Sequence, residues 1–130
     1  MPQSAFLSKQ MSKVLIVEDE GDICLLLNII LDGKNVDLEH VNSISAAKKY
    51  LEEKQPKLIM LDNKLPDGLG MDFIQYLKTY YPAIKILMIS GFHPAYTKDI
   101  ALENGADLYL EKPFTKDQIF ESVQQLLQTP

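Results

Sequence analysis

Apolar positions along the chain fall into two alternating rhythms. Lys13 to Glu18 is a short, β-branched run that ends in acids. Ile23, Leu26, Leu27, Ile30 and Leu31 then recur at helical spacing until Gly33, a helix stop. The same change of period repeats. Val36 to Val41 reads as a strand, and Ser43 to Lys54 as a helix with Ala46, Ala47, Tyr50 and Leu51 inward. Leu58 to Leu61 is a continuous apolar strand, followed by a turn-rich stretch from Asp62 to Gly70. A helix from about Met71 to Tyr80 carries Phe73, Ile74 and Leu77 and ends before Pro82. Ile84 to Ile89 reads as a fourth strand, and Pro94 as a first-turn proline of a helix reaching Asn104 with Gly105 as its cap. Leu108 to Leu110 is a fifth, brief strand. Thr115 and Gln118 then form a capping box for a last helix with Ile119, Phe120, Val123, Leu126 and Leu127 facing in.

Five strands alternating with five helices over short connections call for a parallel sheet covered by helices on both faces, joined by right-handed crossovers. The strands are near-continuous apolar runs, as burial on both faces requires. Residues 1–12, which include a second methionine at position 11, precede the first periodic segment and read as a mobile arm or start-site extension. Residues 13–128 read as one domain.

Composition narrows the function classes. The 130 residues are 46% apolar and 24% charged, which fits one globular domain and leaves no run long enough to span a membrane. Thirteen basic against eighteen acidic residues give a net charge of −5, which argues against direct nucleic-acid or anionic-membrane binding. One cysteine, Cys24, cannot form an internal disulfide and reads as a small core residue; a cytoplasmic location is the expectation.

Ligands of open α/β sheets bind outside the carboxyl ends of the strands. Glu18 and Asp19 follow the first strand, Asp62 the third and Lys112 the fifth, while Ser90 ends the fourth. Three carboxylates at one edge repel unless a cation sits among them. An all-oxygen donor set without nearby His or Cys points to Mg²⁺ before Ca²⁺. Asp62 can act as a nucleophile that forms an acyl phosphate. Lys112 and the Ser90 hydroxyl would stabilise phosphoryl oxygens beside the cation. Taken singly, Asp62 could be a turn residue, Glu18 and Asp19 first-turn acids, Ser90 and Gly91 a plain turn, and Lys112 an exposed lysine. His40 and His93 lack metal-ligand spacing, Met60 and Met88 read as core, and Asp67 with Gly68 reads as a turn.

V-E-D-E at 17–20, L-D-N-K-L-P-D-G-L-G at 61–70, S-G at 90–91 and Y-L-E-K-P-F at 109–114 resemble the receiver domain of two-component response regulators. The likeness covers about Lys13 to Leu127. It implies a flavodoxin-like, doubly wound sheet of order 2-1-3-4-5. It further implies that Asp62 is the phosphoacceptor and that Glu18, Asp19, Asp62 and the Lys64 carbonyl hold Mg²⁺. Lys112 would pair with the phosphoryl group, Ser90 would occupy the family's Thr/Ser position, and the Lys112–Pro113 peptide would be cis. Ser90 and Tyr109 become a switch that remodels the face of helix four, strand five and helix five; Tyr109 could equally be a core aromatic. Lys64 and Phe92 are placed to shield an acyl phosphate from water. A histidine kinase or phosphotransfer protein is the implied donor and an effector domain or protein the implied target. Pairing of two copies through the same face stays open.

The implied activity is that of a regulator which assists its own phosphorylation and dephosphorylation, not of a conventional enzyme. An aspartyl-nucleophile phosphatase would need a second acid two residues after the nucleophile, where Lys64 stands. A flavin or nucleotide binder would offer Gly, Ser or Thr in the loop that Glu18, Asp19 and Glu20 occupy. A pure interaction module on the same scaffold would lack one of the core residues, and none is missing. Whether the chain stands alone, relays phosphoryl groups or belongs to a longer protein is left open.

Overall fold

The computed structural model describes residues 11–91 and 97–128. Five parallel strands, β1 (Ser12–Val17), β2 (Val36–Val41), β3 (Leu58–Asp62), β4 (Lys85–Ser90) and β5 (Leu108–Glu111), form one sheet in the order β2-β1-β3-β4-β5. The helices are α1 (Gly21–Leu31), α2 (Ile44–Leu51), α3 (Gly70–Tyr80), α4 (Thr97–Asn104) and α5 (Lys116–Gln128). This is the expected doubly wound α/β fold.

Alternation along the central strands divides the interior into two cores, because successive side chains point to opposite faces. Val14 and Ile16 of β1, Met60 of β3 and Leu87 and Ile89 of β4 pack with Leu27 and Leu31 of α1 and Ile119 and Val123 of α5. Leu15, Val17, Ile59, Leu61 and Ile86 face the other way, toward Leu51 of α2, Ile74 and Leu77 of α3 and Ala101 of α4. β1, β3 and β4 are buried almost throughout, whereas the edge strands β2 and β5 are only partly covered.

Element boundaries move by a residue or two from the sequence expectation, and α2 ends at Leu51 rather than Lys54. The turn-rich stretch contains an antiparallel ribbon, Lys64–Leu65 against Gly68–Leu69, which the sequence reading did not foresee. Leu26, expected inward, is 41% exposed. At 100° per residue it lies roughly 100° from the centre of the stripe formed by Cys24, Leu27, Ile30 and Leu31, beyond the edge of the core. Phe120 and Leu127 are half-buried at the rim of α5. The capping box is present: the Gln118 amide donates to Thr115 Oγ1 at 3.0 Å and the Thr115 amide to Gln118 Oε1 at 2.8 Å. Gly33 and Gly105 have positive φ of 74° and 119°, as helix stops do. The expected first-turn Pro94, together with Phe92 and His93, lies outside the described residues.

Candidate functional site

The carboxyl edge of the sheet collects the predicted residues. The Glu18 amide donates to the Val41 carbonyl, which carries the chain straight off β1. Glu18 and Asp62 are buried, and Asp19 is exposed. One carboxylate oxygen from each of the three lies within 4.8 Å of the others. Lys112 reaches them from the end of β5, its backbone amide donating to the Ser90 carbonyl at 2.8 Å. Its ammonium donates to Glu18 Oε1 at 2.9 Å and Asp62 Oδ1 at 3.2 Å, and stands 3.6 Å from Glu20. The Lys112–Pro113 peptide is cis.

Burial pushes the Glu18 carboxyl up to about 7; the hydrogen bond from Lys112 lowers it, and the Asp62 charge raises it again. For Lys112, burial alone would pull the ammonium down. The hydrogen bond to Glu18 and the charges of Asp62 and Glu18 outweigh it and leave the ammonium above its usual range. Burial thus sets the Glu18 shift more than repulsion from Asp62 does, and the Lys112 ammonium is a cation that the two buried acids share. Among the described residues the donor set is all carboxylate oxygen, with no His or Cys in the cluster, and it fits a hard dication.

Ser90 is buried at the tip of β4, paired in register with Glu111. The Tyr109 hydroxyl is buried as well. Burial raises this phenol, and the neighbouring Ser90 side chain works against the rise. Tyr109 therefore points inward, toward Ser90. Lys64 is exposed at the base of the ribbon.

Three residues matter to the site's construction that the sequence reading did not assign. Asn63 closes the loop after Asp62: its carbonyl accepts from the Gly70 amide at 2.7 Å and its side chain from the Met71 amide at 2.9 Å. Gly70 must lack a side chain, since a Cβ there would stand 2.2 Å from the Asp62 carbonyl oxygen. Asp67, read as a turn residue, accepts from the Ile44 and Ser45 amides at 2.9 Å each and so also caps α2. The only local signal was the P-D-G tripeptide, which marks a turn but not its distant partner.

The sheet and its acidic edge define a doubly wound α/β domain in which Glu18, Asp19 and Asp62 could hold a metal ion. A family model for the response regulator receiver domain matches residues 14–124, and the chain belongs to that family. The response regulator protein PilR of Pseudomonas aeruginosa is 34% identical over 111 residues, which span 85% of this chain and 25% of PilR. The KDP operon transcriptional regulatory protein KdpE of Escherichia coli is 36% identical over 104 residues, 80% of this chain and 46% of KdpE. The chain thus spans between a quarter and a half of these relatives. Among solved structures, the receiver domain of NtrX from Brucella abortus superposes with a TM-score of 0.84 at 28% identity, covering 90% of this chain and 99% of that one. Among the described residues no helix is long and apolar enough to cross a membrane.

Proposed function

We propose that this chain receives a phosphoryl group on Asp62 from a phosphohistidine donor, a histidine kinase or a phosphotransfer protein, in a Mg²⁺-dependent reaction. The observation that carries the reading is the convergence of Glu18, Asp19 and Asp62 around one point with the Lys112 ammonium against Asp62. Glu18, Asp19, Asp62 and the Lys64 carbonyl would hold Mg²⁺, which supplies neutralisation of charge on the phosphoryl oxygens. An Asp62 oxygen attacks phosphorus in line; the bond from phosphorus to the imidazole nitrogen breaks, and its electron pair returns to the ring. Lys112 turns from the carboxylates to a phosphoryl oxygen, and Ser90 donates its hydroxyl to another.

The donor's approach has a surface to meet. Leu25, Leu26 and Ile29 of α1 are exposed, and a cavity of about 570 Å³ lined by Ile23, Leu26, Gly91, Lys112, Pro113 and Phe114 joins α1 to the site. On the output side, Ser90 and Tyr109 would bias a population shift of the face formed by α4, β5 and α5 toward an effector domain or a second copy. The inward Tyr109 and the half-buried β5 support that assignment. Lys64 and Phe92 would slow hydrolysis of the acyl phosphate, so Lys64→Ala should shorten its half-life.

The deciding experiment is intact mass after incubation with Mg²⁺ and acetyl phosphate, for wild type and Asp62→Asn. One added phosphoryl group in the wild type alone is the expected result. No addition in either protein would instead favour an interaction module.

A further inference from the structure

The ribbon that follows the phosphoacceptor is held at both ends by polar contacts rather than by burial. At its base, Asn63 closes the loop onto the first turn of α3. At its tip, the Asp67 carboxylate spans two successive amides of α2, Ile44 and Ser45, at 2.9 Å each. Between these ties Lys64, Pro66, Asp67, Gly68 and Leu69 are all exposed, and only Leu65 packs partly on the core. Gly68 fits the same contact: a Cβ there would press Ile44 Cδ1 at 3.1 Å, so a glycine allows the tip to close on α2.

α2 does not depend on Asp67 alone for its cap. Ser43 already accepts from the Ala46 amide at 3.1 Å, which is the ordinary N-cap arrangement. The Asp67 carboxylate is therefore a second, long-range cap, and it ties to α2 the tip of a ribbon otherwise held by its own antiparallel pairing, by Asn63 at its base and by Leu65. That ribbon begins with Lys64, two residues beyond Asp62, whose carbonyl is a proposed cation ligand.

We infer that Asp67 is a positioning residue for the cation site: by clamping the ribbon to α2 it holds the Lys64 carbonyl in place and sets the affinity for Mg²⁺. The inference rests on the phosphoacceptor reading above. A ligand on an unclamped ribbon must be ordered when the cation binds, and that ordering weakens binding. Groups that orient metal ligands typically alter affinity by about tenfold or more when removed.

The test is a MgCl₂ titration of the unphosphorylated full chain, followed by amide chemical shifts and by calorimetry, for wild type, Asp67→Ala, Asp67→Asn and Ser43→Ala. Ser43→Ala removes a cap from the same helix without touching the ribbon. Both Asp67→Ala and Ser43→Ala should lower the melting temperature, but only Asp67→Ala should raise the Mg²⁺ dissociation constant, by about tenfold. Asp67→Asn, which keeps one acceptor oxygen, should fall between wild type and Asp67→Ala, and it decides the matter if the alanine variant does not fold. An unchanged dissociation constant in the Asp67 variants, or an equal change in Ser43→Ala, would reduce Asp67 to a structural cap and overturn the inference. Failure of the wild type to bind Mg²⁺ would instead remove the reading beneath it.

Discussion

Asp19 differs from its two companions in being exposed and in lying outside the Lys112 ion pairs, which run to Glu18, Asp62 and Glu20. Its charge thus adds repulsion to the cluster without a partner of its own among those pairs. Asp19→Asn should stabilise the metal-free protein by about 0.5–1 kcal/mol, as expected for relief of an exposed like-charge contact. On the proposed function the same change should weaken Mg²⁺ binding by more than about tenfold, since it would remove one of the proposed ligands. Thermal melts without Mg²⁺ and a Mg²⁺ titration read the two effects, which carry opposite signs; a variant that loses both stability and affinity would indicate a structural role. Glu18, Asp19, Asp62, Ser90 and Lys112 were legible in the sequence because each ends or follows a strand, where an α/β sheet opens to ligands. Asn63 and Asp67 were not, because their partners stand 8 and 23 residues away and no local spacing marks such a contact.

Among the elements, the ribbon and α2 form a unit whose stability depends on pH. The Ile44 amide, and then the Ser45 amide, hold the Asp67 carboxyl below its ordinary value of 3.8. A carboxylate lowered by folding stabilises the native state above its unfolded value, and that contribution fades as pH falls through the folded value. The melting-temperature difference between wild type and Asp67→Asn should therefore be fully present at neutral pH and shrink below about pH 4. A difference that grows on acidification would contradict the clamp. α3 carries a constraint of another kind. Gly70→Ala places a methyl group against the Asp62 carbonyl, which is backbone and cannot rotate away. About 2–3 kcal/mol of destabilisation is expected in urea unfolding, as for other overpacked sites. Helix periodicity revealed α3 readily, whereas the ribbon before it has two-residue strands, too short for any period to register.

Over the whole molecule, the sheet separates two cores while its carboxyl edge carries the site. The alternation of strands and helices made this architecture legible, since buried parallel strands leave long apolar runs and their helices leave stripes. Which residues face which core could be read only from register, and Leu26 shows how a helix edge escapes that reading. Leu27 of α1 belongs to one core and Leu77 of α3 to the other, both almost fully buried. Leu27→Ala and Leu77→Ala should each cost about 2–5 kcal/mol through lost burial and the cavity left behind. Because the sheet lies between them and they share no packing cluster, their costs should add to within about 0.5 kcal/mol in the double variant. Both cores are nonetheless lined by the same strands, β1, β3 and β4, so neither can open without exposing the backs of the residues that line the other. Loss of either leucine should accordingly shift a single unfolding transition, seen alike by far-ultraviolet dichroism and by tyrosine fluorescence. Two separated transitions would mean that one helical layer can leave the sheet while the other core stands, and that the two cores do not unfold as one unit.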